Sequence, residues 1–137
     1  MELDYSSTKN GNNNSILVVD DEYDIVNLIK LSLEVNRQRV CAFTDANTAL
    51  DHFNSDSTDY HSMVISDIRM PGINGYEFVK QVKKINPQIK IILMSAFEIK
   101  DKEFHNMLPD IKVDAFLQKP FSIQRLNDVV EKMSTRN

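Results

Sequence analysis

Five short apolar runs punctuate the chain, and most are followed by a stretch whose apolar positions recur at helical spacing. SILVV (15–19) is almost wholly apolar, as a strand covered on both faces requires. In DEYDIVNLIKLSLEVN (21–36), Ile25, Leu28, Ile29 and Leu33 form a helical stripe, and acids fill the first turn, where the helix dipole favours them. VCAF (40–43) predicts a second strand, after which Thr44 or Asp45 is placed to cap a helix reaching Asn54. MVIS (63–66) predicts a third strand. Asn74 then caps a helix over 75–85 that stops before Asn86-Pro87, because the residue ahead of a proline is driven out of helical conformation. IKIILM (89–94) and DAFLQ (114–118) predict the fourth and fifth strands, with a helix over 99–108 between them that stops at Pro109. The last helix, 122–134, carries Ile123, Leu126, Val129, Val130 and Met133 on one stripe.

Strands alternating with helices through short connections imply an α/β fold, a parallel sheet with helices on both faces. Such sheets bind ligands beyond the carboxyl ends of their strands. Four of the five predicted strands deliver polar groups there: Asp20-Asp21 after the first, Asp67 after the third, Ser95 after the fourth and Lys119 after the fifth.

Composition removes several competing functions. With 137 residues, 42% of them hydrophobic, the chain is long enough for one domain with its own core. A net charge of −4 argues against direct nucleic-acid binding, which needs clustered Lys and Arg. The three glycines, Gly11, Gly72 and Gly75, cannot make a GxGxxG turn or a P-loop, and CxxC, HExxH and GxSxG are absent. No apolar stretch approaches the ~20 residues that cross a bilayer. The first 14 residues are polar and Asn-rich, read as a disordered tail ahead of a domain over 15–134, and they lack the apolar run of a signal peptide. Together with the lone Cys41, these features predict a cytoplasmic protein. Cys41 is expected to be a small buried hydrophobe, and His52, His61 and His105, lacking ligand spacing, are expected on the surface.

Taken singly, the strand-end residues have ordinary explanations: Asp20-Asp21 a solvated helix start, Asp67 a turn former before Pro71-Gly72, Ser95 and Lys119 surface residues. Their joint placement is harder to dismiss. Three carboxylates ~4–5 Å apart repel pairwise by roughly 3–4 kcal/mol at an effective dielectric near 20, so the site demands a cation or a proton. Converging oxygens suit a hard ion, Mg2+ ahead of Mn2+. Such an ion would hold a phosphoryl group, with Lys119 and the Ser95 hydroxyl pairing to its oxygens and Asp67 attacking to give an acyl phosphate.

LVVDDE (17–22), SDIRMPGINGYEF (66–78), MSA (94–96) and FLQKPF (116–121), in that order, resemble the receiver domain of two-component response regulators across 15–134. The resemblance implies a flavodoxin-like, doubly wound (βα)5 fold with a five-stranded parallel sheet. It implies that Asp67 accepts phosphate from the phosphohistidine of a sensor histidine kinase or a phosphotransfer protein. Asp20, Asp21, Asp67 and the Arg69 backbone carbonyl would hold Mg2+, and Lys119 would pair with the phosphoryl group. Ser95 and Phe116 would be the switch pair, moving together to change the face formed by the fourth helix, fifth strand and fifth helix. A cis Lys119-Pro120 bond is also implied. The protein would then be a switch that contacts an output partner, as a monomer or a phosphorylation-dependent dimer, and not an enzyme acting on a separate substrate. It would stand alone or be part of a longer regulator. Two departures stand out: the MLPDIKVDAF segment before the fifth strand, and Phe97 and Arg69 at positions where the family tunes phosphate loss. The alternatives are a receiver-like interaction module that never takes phosphate, and an aspartyl-nucleophile hydrolase of the haloacid dehalogenase type. The hydrolase wants an acid two residues after the nucleophile, where this chain has Arg69.

Overall fold

The computed structural model describes residues 14–55, 60–96 and 111–134. Residues 1–13 of the expected tail, Phe97, His105 and the helix expected over 99–108 with its stop at Pro109 lie outside the described residues. The described elements run β1 (Asn14–Val19), α1 (Tyr23–Val35), β2 (Arg39–Phe43), α2 (Ala46–Ser55), β3 (Tyr60–Asp67), α3 (Gly75–Ile85), β4 (Lys90–Ser95), β5 (Ala115–Gln118) and α4 (Ile123–Ser134). The strands form one parallel sheet in the order β2-β1-β3-β4-β5.

Strand alternation splits the core in two. Leu17, Val19, Val64, Ile91 and Leu93 point to the side covered by α2 and α3, where they meet Ala49, Phe78 and Val82. Ile16, Val18, Met63, Ile65, Ile92 and Met94 point the other way, against Ile29 and Leu33 of α1 and Leu126 and Val130 of α4. Because both faces are covered, successive strand residues must all be apolar, the origin of the unbroken runs in the sequence. Capping sets where the helices begin. The Asn74 side chain accepts from the Glu77 amide at 2.9 Å, Asp45 from the Thr48 amide at 2.8 Å and Ser122 from the Arg125 amide at 3.0 Å. Asp45 rather than Thr44 is thus the cap of α2.

Several local expectations need correction. The buried face of α1 is Val26, Ile29 and Leu33, while Leu28 is 39% exposed, because the helix is phased to the sheet on an i, i+3, i+7 row. Ile123, the first residue of α4, is likewise half exposed. β1 opens one residue early, at Asn14, and β3 opens at Tyr60, three residues before the apolar run. The polar start of β3 hid that extension, and its register shifts at Ser62, which has no partner between the Ser15–His61 and Ile16–Met63 pairs. His61 is buried rather than on the surface: its Nδ1 lies 2.6 Å from Ser15 Oγ and its ring stacks on Phe53 at 5.7 Å. His52 and Cys41 are both half-buried.

Candidate functional site

Strand order decides what meets at the carboxyl edge. The chain leaves β1 toward β2 on one side and returns to β3 on the other, so the crevice opens between β1 and β3. Asp20 follows β1 and Asp67 ends β3, at the two walls of that crevice. Asp20 is fully buried, its amide donating to the Phe43 carbonyl at 3.2 Å. Ser95 ends β4 almost as deeply buried, and the Lys119 amide donates to the Ser95 carbonyl at 2.7 Å, bringing the end of β5 alongside.

The Lys119 ammonium is the hub. Its Nζ lies 2.7 Å from Asp20 Oδ2, 3.4 Å from Asp67 Oδ1 and 3.3 Å from Glu22 Oε1. Asp20, Asp21 and Asp67 each offer an oxygen within 4.8 Å of the other two, with Asp21 exposed and the other two buried. Glu22, which sequence reasoning passed over as an ordinary helix-start acid, contributes twice: its carboxylate pairs with Lys119 and its amide donates to Asp20 Oδ1 at 2.9 Å. Arg69 lies two residues beyond Asp67 with its side chain exposed. Phe116 sits opposite Leu93 on β5, half-buried against the α2–α3 core, and Lys119-Pro120 is cis.

The electrostatics show a shortage of positive charge. Burial, then the neighbouring charge of Asp20, pushes the Asp67 carboxyl up to about 6, with Lys119 opposing. Asp20 is also raised, chiefly by burial, against the bond to Lys119. Burial draws Lys119 downward, but the hydrogen bond to Asp20 and the charges of Asp20 and Asp67 outweigh it, leaving the ammonium held above an ordinary lysine. Buried carboxylates that one lysine cannot neutralise are what a divalent oxygen-loving cation fits, and the donor set here is all oxygen. A direct check is the Asp67 side-chain carbon signal in the metal-free protein, which should titrate near pH 6. In Asp20→Asn the midpoint should move down toward the ordinary carboxylate range; an unchanged midpoint would mean that Asp20 does not repel it.

The loop after Asp67 is tied to the sheet by main-chain bonds. The Ile68 amide donates to the Met94 carbonyl at 3.0 Å and the Gly75 amide to the Ile68 carbonyl at 2.8 Å, while Ser66 Oγ donates to the Asp67 carbonyl at 2.9 Å. Gly72 turns the chain at φ 81°. Gly75 is needed for a different reason, since a Cβ there would fall 2.3 Å from the Asp67 carbonyl oxygen and 2.7 Å from Ile68 Cα. The sequence did hold a clue, because glycine just after a helix cap forgoes the better helix former alanine.

The chain has relatives among known proteins. Residues 16–131 match the response regulator receiver domain. The chain is 31% identical over 126 residues to the alkaline phosphatase synthesis transcriptional regulatory protein PhoP of Bacillus subtilis, covering 91% of this chain and 50% of that protein. It is 32% identical over 127 residues to the response regulator SaeR of Staphylococcus epidermidis, covering 89% of this chain and 52% of SaeR. It thus spans about half the length of these curated relatives. Among solved structures it superposes on the response regulator TrrA of Thermotoga maritima, in complex with Mg2+ and BeF, with a TM-score of 0.73 and 32% identity over 88% of this chain and 98% of that one. A CheY-like receiver domain from Methanospirillum hungatei shares the fold at a TM-score of 0.75 and 22% identity, over 88% and 92% of the two chains.

Proposed function

Because the chain belongs to the response regulator receiver domain family, whose function is phosphorylation-based signalling, we propose that Asp67 is its phosphoryl acceptor. The observation that carries this is the Lys119 ammonium lying between Asp20 and Asp67 at 2.7 and 3.4 Å, at the mouth of the β1–β3 crevice. In the proposed reaction an Asp67 carboxylate oxygen forms a bond to phosphorus. The P–N bond of a phosphohistidine breaks, and the freed imidazole nitrogen keeps the electron pair and takes up a proton. Lys119, held charged by Asp20, lies where negative charge accumulates on the transferring group. Asp20, Asp21, Asp67 and the Arg69 backbone carbonyl would hold Mg2+, with Mn2+ the alternative, and that ion supplies neutralisation of the phosphoryl oxygens.

The switch is built from Ser95 and Phe116. The Ser95 hydroxyl donates to the new phosphoryl oxygens, and Phe116, half-buried one strand away, turns into the space released. The surface around β5 then changes shape, and a partner that prefers one shape shifts the population by its difference in affinity. The upstream partner is a sensor histidine kinase or phosphotransfer protein, the setting is the cytoplasm, and output passes by protein contact. The chain takes part in its own phosphorylation and dephosphorylation but has no separate substrate to turn over.

The test is intact-protein mass after treatment with acetyl phosphate, with and without Mg2+, beside a beryllofluoride titration followed by NMR. One phosphoryl group gained with Mg2+ and none without it is expected, as are shifts at Ser95 and Phe116 on beryllofluoride addition. No gain together with no beryllofluoride response would instead make the domain a phosphate-independent interaction module.

A further inference from the structure

A second group of ligand-type side chains lies away from the acidic crevice. Cys41 on β2 pairs with Leu17 of β1, and Ser15, two residues earlier on β1, pairs with both Arg39 and His61. Alternation therefore sends Cys41 and His61 to the side of the sheet that α2 covers, and α2 lays His52 over them. The Cys41 sulfur and one ring nitrogen from each of His52 and His61 all lie within 4.8 Å of one another. The two imidazole rings are 5.2 Å apart, with Phe43 5.2 Å from His52 and Phe53 5.7 Å from His61.

Packing of rings beneath a helix explains why these residues are sheltered. It does not explain a thiol converging with two imidazole nitrogens, nor the position of Ser15. Ser15 Oγ is 2.6 Å from His61 Nδ1. Metal binding through Nε2 requires the Nδ1–H tautomer, and the Ser15 hydroxyl is placed to accept from that N–H, the usual outer support of a metal-bound histidine. Nε2 is buried in both histidines, while half-buried Cys41 leaves a way in.

We propose that Cys41, His52 and His61 form a site for a borderline-soft divalent ion of the Zn2+ class, joining edge strand β2 and helix α2 to β3. A thiolate and two imidazoles select such an ion over Mg2+, which the all-oxygen crevice suits better. Tetrahedral zinc with these ligands needs donor separations of about 3.3–3.6 Å, so side-chain rotation has to draw the three atoms closer. Three protein ligands leave a fourth position for water. As the metal–sulfur bond forms, the Cys41 thiol gives its proton to solvent. His61 and Asp67 stand six residues apart on β3, about 20 Å of extended chain, so the site does not rest on the phosphoryl reading. Its consequence is a domain whose stability responds to transition metal independently of its signalling state.

The experiment titrates the full reduced chain with Co2+ in excess Mg2+, which keeps the acidic crevice filled. One Co2+ per chain with a thiolate-to-metal charge-transfer band, displaced by Zn2+, is expected. Cys41→Ser should lose the band and Ser15→Ala should bind Co2+ about tenfold more weakly, while Asp67→Asn should keep the full signal. The absence of a thiolate band in wild type at saturating Co2+ would overturn the site, whatever the variants do. So would an undiminished band in His52→Gln, or its loss in Asp67→Asn.

Discussion

Asp67→Asn is expected to take up no phosphoryl group from acetyl phosphate and yet to unfold at a higher temperature than wild type. Loss of uptake follows from replacing the proposed carboxylate nucleophile by an amide. The gain in stability follows from the electrostatics. In the folded chain the Asp67 carboxyl sits at about 6, against 3.8 when unperturbed, because of burial and then Asp20. An acid with a raised folded value favours folding fully below its unfolded value. That contribution is lost as pH rises through the window from about 4 to about 6. At neutral pH the ionised group therefore costs at most about 3 kcal/mol. Asparagine removes the charge but also removes an ion pair to Lys119 at 3.4 Å, so a net gain of about 1–2 kcal/mol is expected, several degrees in Tm. Melts at neutral pH and near pH 5 separate the causes: the advantage should shrink in acid, where wild-type Asp67 takes up its proton. A pH-independent gap would show that the gain has nothing to do with this carboxylate.

Gly75→Ala is expected to destabilise the domain by about 3 kcal/mol or more, opposite in sign to the ~1 kcal/mol that alanine normally gains over glycine inside a helix. The added Cβ would lie 2.3 Å from the Asp67 carbonyl oxygen and 2.7 Å from Ile68 Cα. Both are main-chain atoms, and the Ile68 amide and carbonyl are already held by Met94 and Gly75. Relief means moving the start of α3 or the Asp67–Ile68 peptide itself, so surviving protein should also accept phosphate more slowly. Gly72→Ala makes the control. There, among the described residues, the substitution meets only the Asn47 side chain at 3.6 Å, and the cost is that of the left-handed φ, about 1–2 kcal/mol. Denaturant curves decide between them: a Gly75→Ala chain as stable as wild type would mean the close approach does not exist in solution.

Much of this protein is written locally. Unbroken apolar runs such as ILVV and IILM require strands covered on both faces, and the helical stripes between them supply the covers. Asn74 and Asp45 start their helices by accepting nearby amides. Asp20, Asp67, Ser95 and Lys119 fall at strand ends, and their place at one edge follows from parallel pairing alone. Strand order is not local, because an apolar strand carries no mark of its neighbour; the order β2-β1-β3-β4-β5 is settled only when the helices pack. That order sets Asp20 and Asp67 across one crevice, draws Glu22 onto Lys119, and makes a glycine necessary where α3 crosses the Asp67–Ile68 peptide. It also phases α1 so that Val26 rather than Leu28 is buried, and covers His61 at a strand start too polar to read as buried. Local patterns report which residues are able to leave water, whereas distances between groups far apart in the chain are fixed only by the packed whole.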